Sequence, residues 1–341
     1  MKRVHMQKKI HSHRQSFRQI YDLLRKHRRF LIATHVHPDG DSISSVLLFA
    51  FILERLKKEY RILLDDDLPN KFDFLPGVER IERYRPDKDY DTFDGVVILD
   101  LSSMDRLGEV QRLISSDARL IQIDHHPNDQ GLGHVSVLDD RESSTTELVY
   151  LFWLYCDFPV VPDVATLVYT GIVCDTGRFL FPNTTCQSLQ ICSDMIRKGA
   201  SPEIIAKRLY FRNSQNNLRA LAKALSTVEF HLDGRVSCMH LNKDEFNHNE
   251  KLDTEGFIDS LLTVDGTEVE FFMLKLKTRL YKVSFRSKET VNVNEIARRF
   301  GGGGHSRASG CQIEGTVDEV KQKILKVLEE RMDASGKAGR N

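Results

Sequence analysis

Three short apolar runs in the first half of the chain each stop at acids and imidazoles. Phe30-Leu31-Ile32-Ala33-Thr34 runs into His35-Val36-His37-Pro38-Asp39-Gly40-Asp41. Val96-Val97-Ile98-Leu99 stops at Asp100, and Leu120-Ile121-Gln122-Ile123 stops at Asp124-His125-His126. Carboxylates with a minority of imidazoles suit two divalent cations, Mn2+ first and Mg2+, Fe2+ or Co2+ as alternatives, better than zinc alone. Asp100, a lone acid at the end of a buried run, is the natural bridging ligand. Adjacent side chains diverge on extended backbone, so His125 and His126 are expected to have different tasks. One ligates a metal, the other meets a substrate phosphate, and Asp124 orients a histidine from behind. Gly40 lets a tight turn aim Asp39 and Asp41 inward without a Cβ clash. Taken alone, the first cluster also reads as a helix start with a satisfied histidine, capped by Asp41 or Ser42. Chance explains one such stop more easily than three.

These residues need a scaffold that brings strand ends together. Short β-branched runs read as buried parallel strands, and in open α/β sheets the active crevice lies beyond the strands' carboxyl ends. The alternation continues with expected helices over 15–28, 42–58, 107–115 and 144–155 and a strand over 60–64. The fold class is α/β: a doubly wound, mostly parallel sheet followed by a smaller α+β domain. No G-x-G-x-x-G follows the first strand, which argues against a dinucleotide-cofactor fold. A helix over 163–174 delivers Asp175-Thr176-Gly177, and helices over 185–198 and 202–211 follow, the second opened by Ser201-Pro202-Glu203.

At 341 residues the chain is longer than one average core supports. The expected division is an N-terminal helical extension at 1–29, a catalytic domain at 30–211, a linker at 212–217, a substrate-binding domain at 218–332 and a disordered tail at 333–341. The second domain reads as strands over 236–240, 268–276, 281–285 and 311–313, with helices over 254–263, 294–300 and 317–331. Lys+Arg 49 balances Asp+Glu 49, so net charge offers no hint of a long polyanionic partner. No apolar run approaches the roughly 20 residues that span a bilayer, and the basic N-terminus lacks the apolar core of a secretory signal. Six cysteines without C-x-x-C spacing read as reduced thiols, consistent with a cytoplasmic location.

Phe300-Gly301-Gly302-Gly303-Gly304-His305 carries three more glycines than a helix stop requires. Successive unhindered N–H groups of Gly302, Gly303 and Gly304 can form an anion-binding nest, with His305 as a cationic donor. Arg286 and Ser287, at the end of a strand, offer a second phosphate clamp, since guanidinium binds phosphate bidentately. Arg106 and Arg178 are weaker candidates of the same kind.

The set His35-x-His37-Pro38-Asp39-Gly40-Asp41, Asp100, Asp124-His125-His126 and Asp175 resembles the four motifs of the DHH phosphoesterase superfamily, in order and spacing. Phe300–His305 with Ala308 and Gly310 resembles the signature of the associated DHHA1 C-terminal domain. The layout looks most like the nano-RNase and pAp phosphatase subfamily, except that His37 stands where Asn is common; His37 is left outside the metal set. The resemblance implies one metal on His35, Asp39 and Asp100 and another on Asp41, Asp100, His125 and Asp175. Such ions sit roughly 3.5–4 Å apart and activate a shared water. It further implies that His126 holds the phosphate or stabilises the departing alkoxide. The implied substrates are short oligoribonucleotides, linear dinucleotides and 3′-phosphoadenosine 5′-phosphate (pAp), with no membrane, no long nucleic acid, and a homodimer left open. A cyclic-dinucleotide phosphodiesterase and a manganese-dependent pyrophosphatase are the competing readings. A non-enzymatic nucleotide sensor is disfavoured because no proposed ligand is missing.

Overall fold

The structure, a computed structural model, describes residues 2–127, 130–212, 214–246, 252–254, 256–304 and 306–338. It divides into two compact units, Met1–Arg212 and Asn213–Asn341.

The first unit is built on six parallel strands: β1 (Arg29–Ala33), β2 (Glu59–Leu64), β3 (Ile81–Arg83), β4 (Gly95–Leu99), β5 (Arg119–Asp124) and β6 (Val135–Leu138). Their spatial order is β3-β2-β1-β4-β5-β6. The chain order reverses between β1 and β4, where open sheets of this kind place their ligands. Neighbours are in tight register, Ile32 opposite Val97 and Val97 opposite Ile121. Strand alternation sorts the core: Phe30 and Ile32 join one apolar cluster, Leu31 and Ala33 the other. Gly95 makes room for its neighbour, since a Cβ there would lie 2.4 Å from Phe30 Cε1.

The first cluster is covered by helices. These are α1 (Lys2–Ser12), α2 (Arg14–Lys26), α3 (Gly40–Arg55), α4 (Thr145–Tyr155), α5 (Pro162–Asp175), α6 (Cys186–Arg197) and α7 (Pro202–Tyr210). In α2 the 3.6-residue period puts Phe17, Ile20 and Leu24 inside. In α3 nearly every side chain from Gly40 to Ala50 is buried, so it runs through the middle of the unit. The opposite sheet face packs on Leu107 and Val110, in a segment expected to be α-helical. There the chain forms tighter 3-10 turns over Met104–Leu113, broken by Gly108 at φ 65°. No helix among the described residues is long and apolar enough to cross a membrane.

The second unit opens with α8 (Gln215–Leu225), which covers positions expected to be linker; Ser214 caps it by accepting from Asn217 N. Its sheet comprises β7 (Glu229–His231), β8 (Val236–Asn242), β9 (Val269–Lys277), β10 (Leu280–Ser287), β11 (Gly303–Gly304) and β12 (Ala308–Glu314). The order is β11-β12-β10-β9-β8-β7, antiparallel except for β8 and β9. The helices are α9 (Val293–Arg299) and α10 (Val317–Ala338), the latter running through six of the positions expected to be disordered. The helix expected over 254–263 is reduced to 3-10 turns over Ile258–Thr263, behind Gly256 at φ 80°.

Candidate metal centre

Each candidate donor of the first unit stands at the end of a rigid element. Asp39 closes the loop after β1 and is the N-cap of α3. Its Oδ1 accepts from Asp41 N at 3.1 Å and Ser42 N at 3.0 Å, and Ser42 Oγ accepts from Asp39 N at 2.9 Å. The cap is therefore Asp39, not Asp41 or Ser42. Asp41 points instead toward the start of α4, with Oδ2 2.7 Å from Thr145 N and Oδ1 2.9 Å from Thr146 N. Gly40 has no left-handed backbone. It is small because a Cβ would lie 2.2 Å from Cys174 Sγ, at the end of α5 beside Asp175. The glycine thus sets the approach of α3 to α5.

Asp100 follows β4 with φ 57°, a left-handed conformation uncommon for a residue with a Cβ and typical of functional positions. Its Oδ1 accepts from Thr145 Oγ1 at 3.0 Å. His35 Nε2 lies 3.4 Å from Asp100 Oδ2, and His126 Nδ1 3.5 Å from Asp100 Oδ1. His125 Nε2 lies 3.9 Å from Asp100 Oδ1 and 3.4 Å from Asp175 Oδ2. Asp175, the last residue of α5, accepts from Asn183 Nδ2 at 3.0 Å. Three groups of donors result, each with ligand atoms within 4.8 Å of one another: His35 with Asp39 and Asp100, Asp41 with His125 and Asp175, and Asp100 with His125 and His126.

The imidazoles are oriented by what lies behind them. His35 Nδ1 is 2.8 Å from Val36 O and His125 Nδ1 3.3 Å from Glu142 O. A carbonyl only accepts, so both Nδ1 atoms carry hydrogen and each Nε2 is left facing carboxylate oxygens. Between such an Nε2 and a carboxylate oxygen there is a place for one positive charge, a proton in the metal-free pocket or a metal ion in its stead. His126 differs: its Nδ1 lies 2.7 Å from Asp124 Oδ1, inside a fully buried contact.

The electrostatics make the same demand. Burial pushes the Asp41 and Asp175 carboxyls well up, and the Asp100 charge adds to it in both. Burial would push Asp100 up too, but His35, His126 and His125 outweigh it and hold that carboxyl below the ordinary range. His35, His125 and His126 are drawn up by the acids against the opposing effect of burial. The pocket holds more acid than buried protein can keep ionised unaided. An oxygen-rich donor set with surplus negative charge fits divalent cations, and the residues present suffice to hold them.

His37 stands apart, with its side chain mostly exposed, φ 58°, and Asp66 Oδ2 accepting its backbone N–H at 2.6 Å. Thr145, Thr146, Asn183 and Glu142 were missed by sequence reasoning although they touch the donors. The run Ser143-Ser144-Thr145-Thr146 was the available signal, since it places more small donors at a helix start than one cap needs.

In the second unit, Arg286 Nε lies 3.5 Å from Asp259 Oδ1, and Arg286 Nη1 donates to Phe285 O at 3.1 Å. The Ser287 hydroxyl is committed to Val291 O at 2.7 Å. Gly303 and Gly304 pair with Gly310 and Ser309 of β12, and Gly302 N donates to Ala297 O at 2.9 Å. A Cβ on Gly302 would lie 2.1 Å from Gly310 O, so part of the glycine run serves close strand approach. His305 lies outside the described residues. Arg178 has φ 64° and sets its guanidinium 4.9 Å from the Tyr210 ring centroid, and Arg106 O accepts from Val36 N at 2.7 Å.

A parallel sheet that gathers acids and imidazoles at its carboxyl edge, followed by a glycine-looped second unit, is the arrangement of one known class. Residues 29–172 match the DHH family, N-terminal domain, and residues 244–334 match the DHHA1 domain. The chain belongs to the DHH family. It is 32% identical to the bifunctional oligoribonuclease and PAP phosphatase NrnA of Thermus thermophilus, over 89% of this chain and 90% of that one. The protein of the same name from Bacillus subtilis is 30% identical over 91% of this chain and 95% of its own. Among solved structures, an exopolyphosphatase-related protein from Bacteroides fragilis superposes with a TM-score of 0.83 at 25% identity, covering 94% of this chain and 96% of that one.

Proposed function

We propose that this protein is a two-metal phosphoesterase that hydrolyses short oligoribonucleotides, linear dinucleotides and pAp to mononucleotides. The observation that carries the reading is the convergence of His35, Asp39, Asp41, His125 and Asp175 around Asp100 in a buried pocket. The relatives named above, which carry both activities in their names, support the substrate class.

In this reading His35, Asp39 and Asp100 hold one cation, and Asp41, Asp100, His125 and Asp175 the other. Four carboxylates against two imidazoles, without a thiolate, favour manganese over zinc. When bound, such ions supply an activated water and neutralise charge on the phosphoryl oxygens. Asp100 would serve both positions, since its Oδ2 faces His35 of the first set and its Oδ1 faces His125 of the second. Asp124 keeps the His126 ring fixed through Nδ1, so that its other nitrogen can hold a phosphoryl oxygen or give a proton to the departing alkoxide. In the second unit, Arg286 is the proposed clamp for a further phosphate, with Asp259 beside its Nε.

Turnover of the manganese-loaded protein on pAp, pApA, five-nucleotide RNA, cyclic di-AMP and pyrophosphate tests the reading. The expected order puts pApA and pAp first, with rates falling steeply as RNA lengthens. Faster hydrolysis of pyrophosphate or cyclic di-AMP, or equal rates on long RNA, would overturn it.

A further inference from the structure

Helices α1 and α2, over residues 2–26, lie outside the DHH match, yet α1 reaches the metal centre through one loop. The segment 139–146 is the rear wall of the site. Glu142 O faces His125 Nδ1, Thr145 N and Thr146 N donate to Asp41, and Thr145 Oγ1 donates to Asp100. Asn183 Nδ2 ties Ser143 O to Asp175 at 2.9 and 3.0 Å.

Three carboxylates in or next to this wall are buried: Asp139, Glu142 and Glu147. Glu147 is satisfied locally, by Ser143 Oγ at 2.5 Å and Gln187 Nε2 at 2.7 Å. Glu142, whose side chain is 1% exposed, is paired with the ammonium of Lys9 on α1. One helix turn on, His13 Nε2 lies 3.2 Å from Asp139 Oδ2, and Arg141 binds both oxygens of Asp139 at 2.8 and 2.7 Å. His13, Asp139 and Glu142 have metal-like spacing. Lys9 and Arg141 already supply the positive charge there, so the group is an ionic clasp and not a third metal site.

We propose that Lys9 is a positioning residue for the metal centre: its ion pair with Glu142 fixes the loop whose carbonyl orients His125 and whose hydroxyl and N–H groups orient Asp100 and Asp41. Removing the ammonium leaves a buried carboxylate without its cation, so Glu142 must take up a proton or turn toward water, and either way the contact that ties the wall to α1 is lost. The inference rests on the two-metal reading of the site, and on the substrate reading only for its kinetic readout.

The test compares wild type, Lys9→Met, Lys9→Arg, Glu142→Gln and Lys9→Met/Glu142→Gln. Mn2+ affinity of the metal-free protein is measured by calorimetry, with thermal melting and with kcat and KM on pApA. Methionine keeps the stem of Lys9 and loses the charge. Lys9→Met is expected to weaken Mn2+ binding about 10–100-fold, the usual effect of losing support behind a ligand. It should lower kcat more than it raises KM, and Lys9→Arg should restore most of both. In the Glu142→Gln background, Lys9→Met should change Mn2+ affinity less than about twofold, because there the charge has no buried partner. Wild-type Mn2+ affinity in Lys9→Met, even with a lowered melting temperature, would overturn the proposal by reducing Lys9 to a stability role. Should Lys9→Met alone fail to fold, the comparison in the Glu142→Gln background decides, and a tenfold loss there would overturn the pairing. Absence of wild-type activity on pApA and pAp would sink the substrate reading and leave the affinity comparison standing.

Discussion

Thr145→Val isolates one contact behind the proposed bridging ligand. Thr145 is fully buried, and its Oγ1 donates to Asp100 Oδ1 at 3.0 Å while its backbone N–H donates to Asp41 Oδ2 at 2.7 Å. Valine keeps the shape and the N–H, so Asp41 retains its donor and only Asp100 loses one. A hydrogen bond to a charged group contributes about 1.5–3 kcal/mol. Asp100 has a further reason to move when released, since it sits at φ 57°. At about 1.4 kcal/mol per factor of ten, the loss corresponds to a ~10–100-fold weaker metal affinity. The assay is calorimetric titration of the metal-free protein with Mn2+, with kcat on pApA measured at saturating metal. Thr145→Ser keeps the hydroxyl and should stay within a few-fold of wild type. If valine bound metal and turned over as wild type does, Thr145 would not position Asp100. If serine were as damaging as valine, the methyl packing would be responsible instead.

Asp100→Asn keeps the shape and removes the charge, so it should abolish most metal binding; two bound Mn2+ ions and normal turnover would contradict the bridging role. His125→Ala should lose metal, whereas His126→Ala should keep much of its metal and lose turnover; equal losses by metal analysis would mean the pair is wrongly divided. Gly40→Ala would set a Cβ 2.2 Å from Cys174 Sγ and 2.6 Å from its Cβ. Overpacking of this kind costs about 1–3 kcal/mol; Cys174→Ala should recover only part of the melting temperature because the Cβ remains, and full recovery would refute the geometry. Asp94 accepts from Arg28 N at 3.0 Å and Arg29 N at 3.1 Å, and these N–H groups hold its carboxyl below the ordinary range. A lowered folded-state pKa stabilises above the unfolded value near ~4 and is lost as pH falls through the folded one. The melting-temperature gap between wild type and Asp94→Ala should therefore close below about pH 4, and a gap constant with pH would refute this.

The strand ends were legible because a buried parallel strand is an apolar run, and the residue that stops it is forced to the crevice. β6 was not read: it is a four-residue edge strand after a glycine-rich loop, with Ser136 inside it. The stretches at 107–115 and 254–263 carry helical apolar spacing, but Gly108 and Gly256 take left-handed backbone and leave only 3-10 turns. α8 was masked by Gln215-Asn216-Asn217, a polar run that reads as linker until Ser214 is seen capping it. Among the candidate donors, residue type and position at a strand end carried the reading. Thr145 and Asn183 could not be found that way, because their importance lies in backbone and side-chain contacts made across more than forty residues, as between Thr145 and Asp100, or around a turn, as between Asn183 and Asp175.

His35, Asp39, Asp41, Asp100, His125 and Asp175 all belong to the unit Met1–Arg212. A ligand that binds only the folded form adds about 2.7 kcal/mol of stability at a hundredfold excess over its dissociation constant. Manganese, if it is the ion bound, would thus lend that margin to the unit that carries the donors. Chelation would then lower the melting of Met1–Arg212, the unit that carries the candidate donors. A protease acting on chelated protein would find its first cuts there. On the proposed reading, scarcity of the ion would become a matter of survival of the polypeptide as well as of rate, since the unit assigned the chemistry would be the one whose persistence depends on the cation.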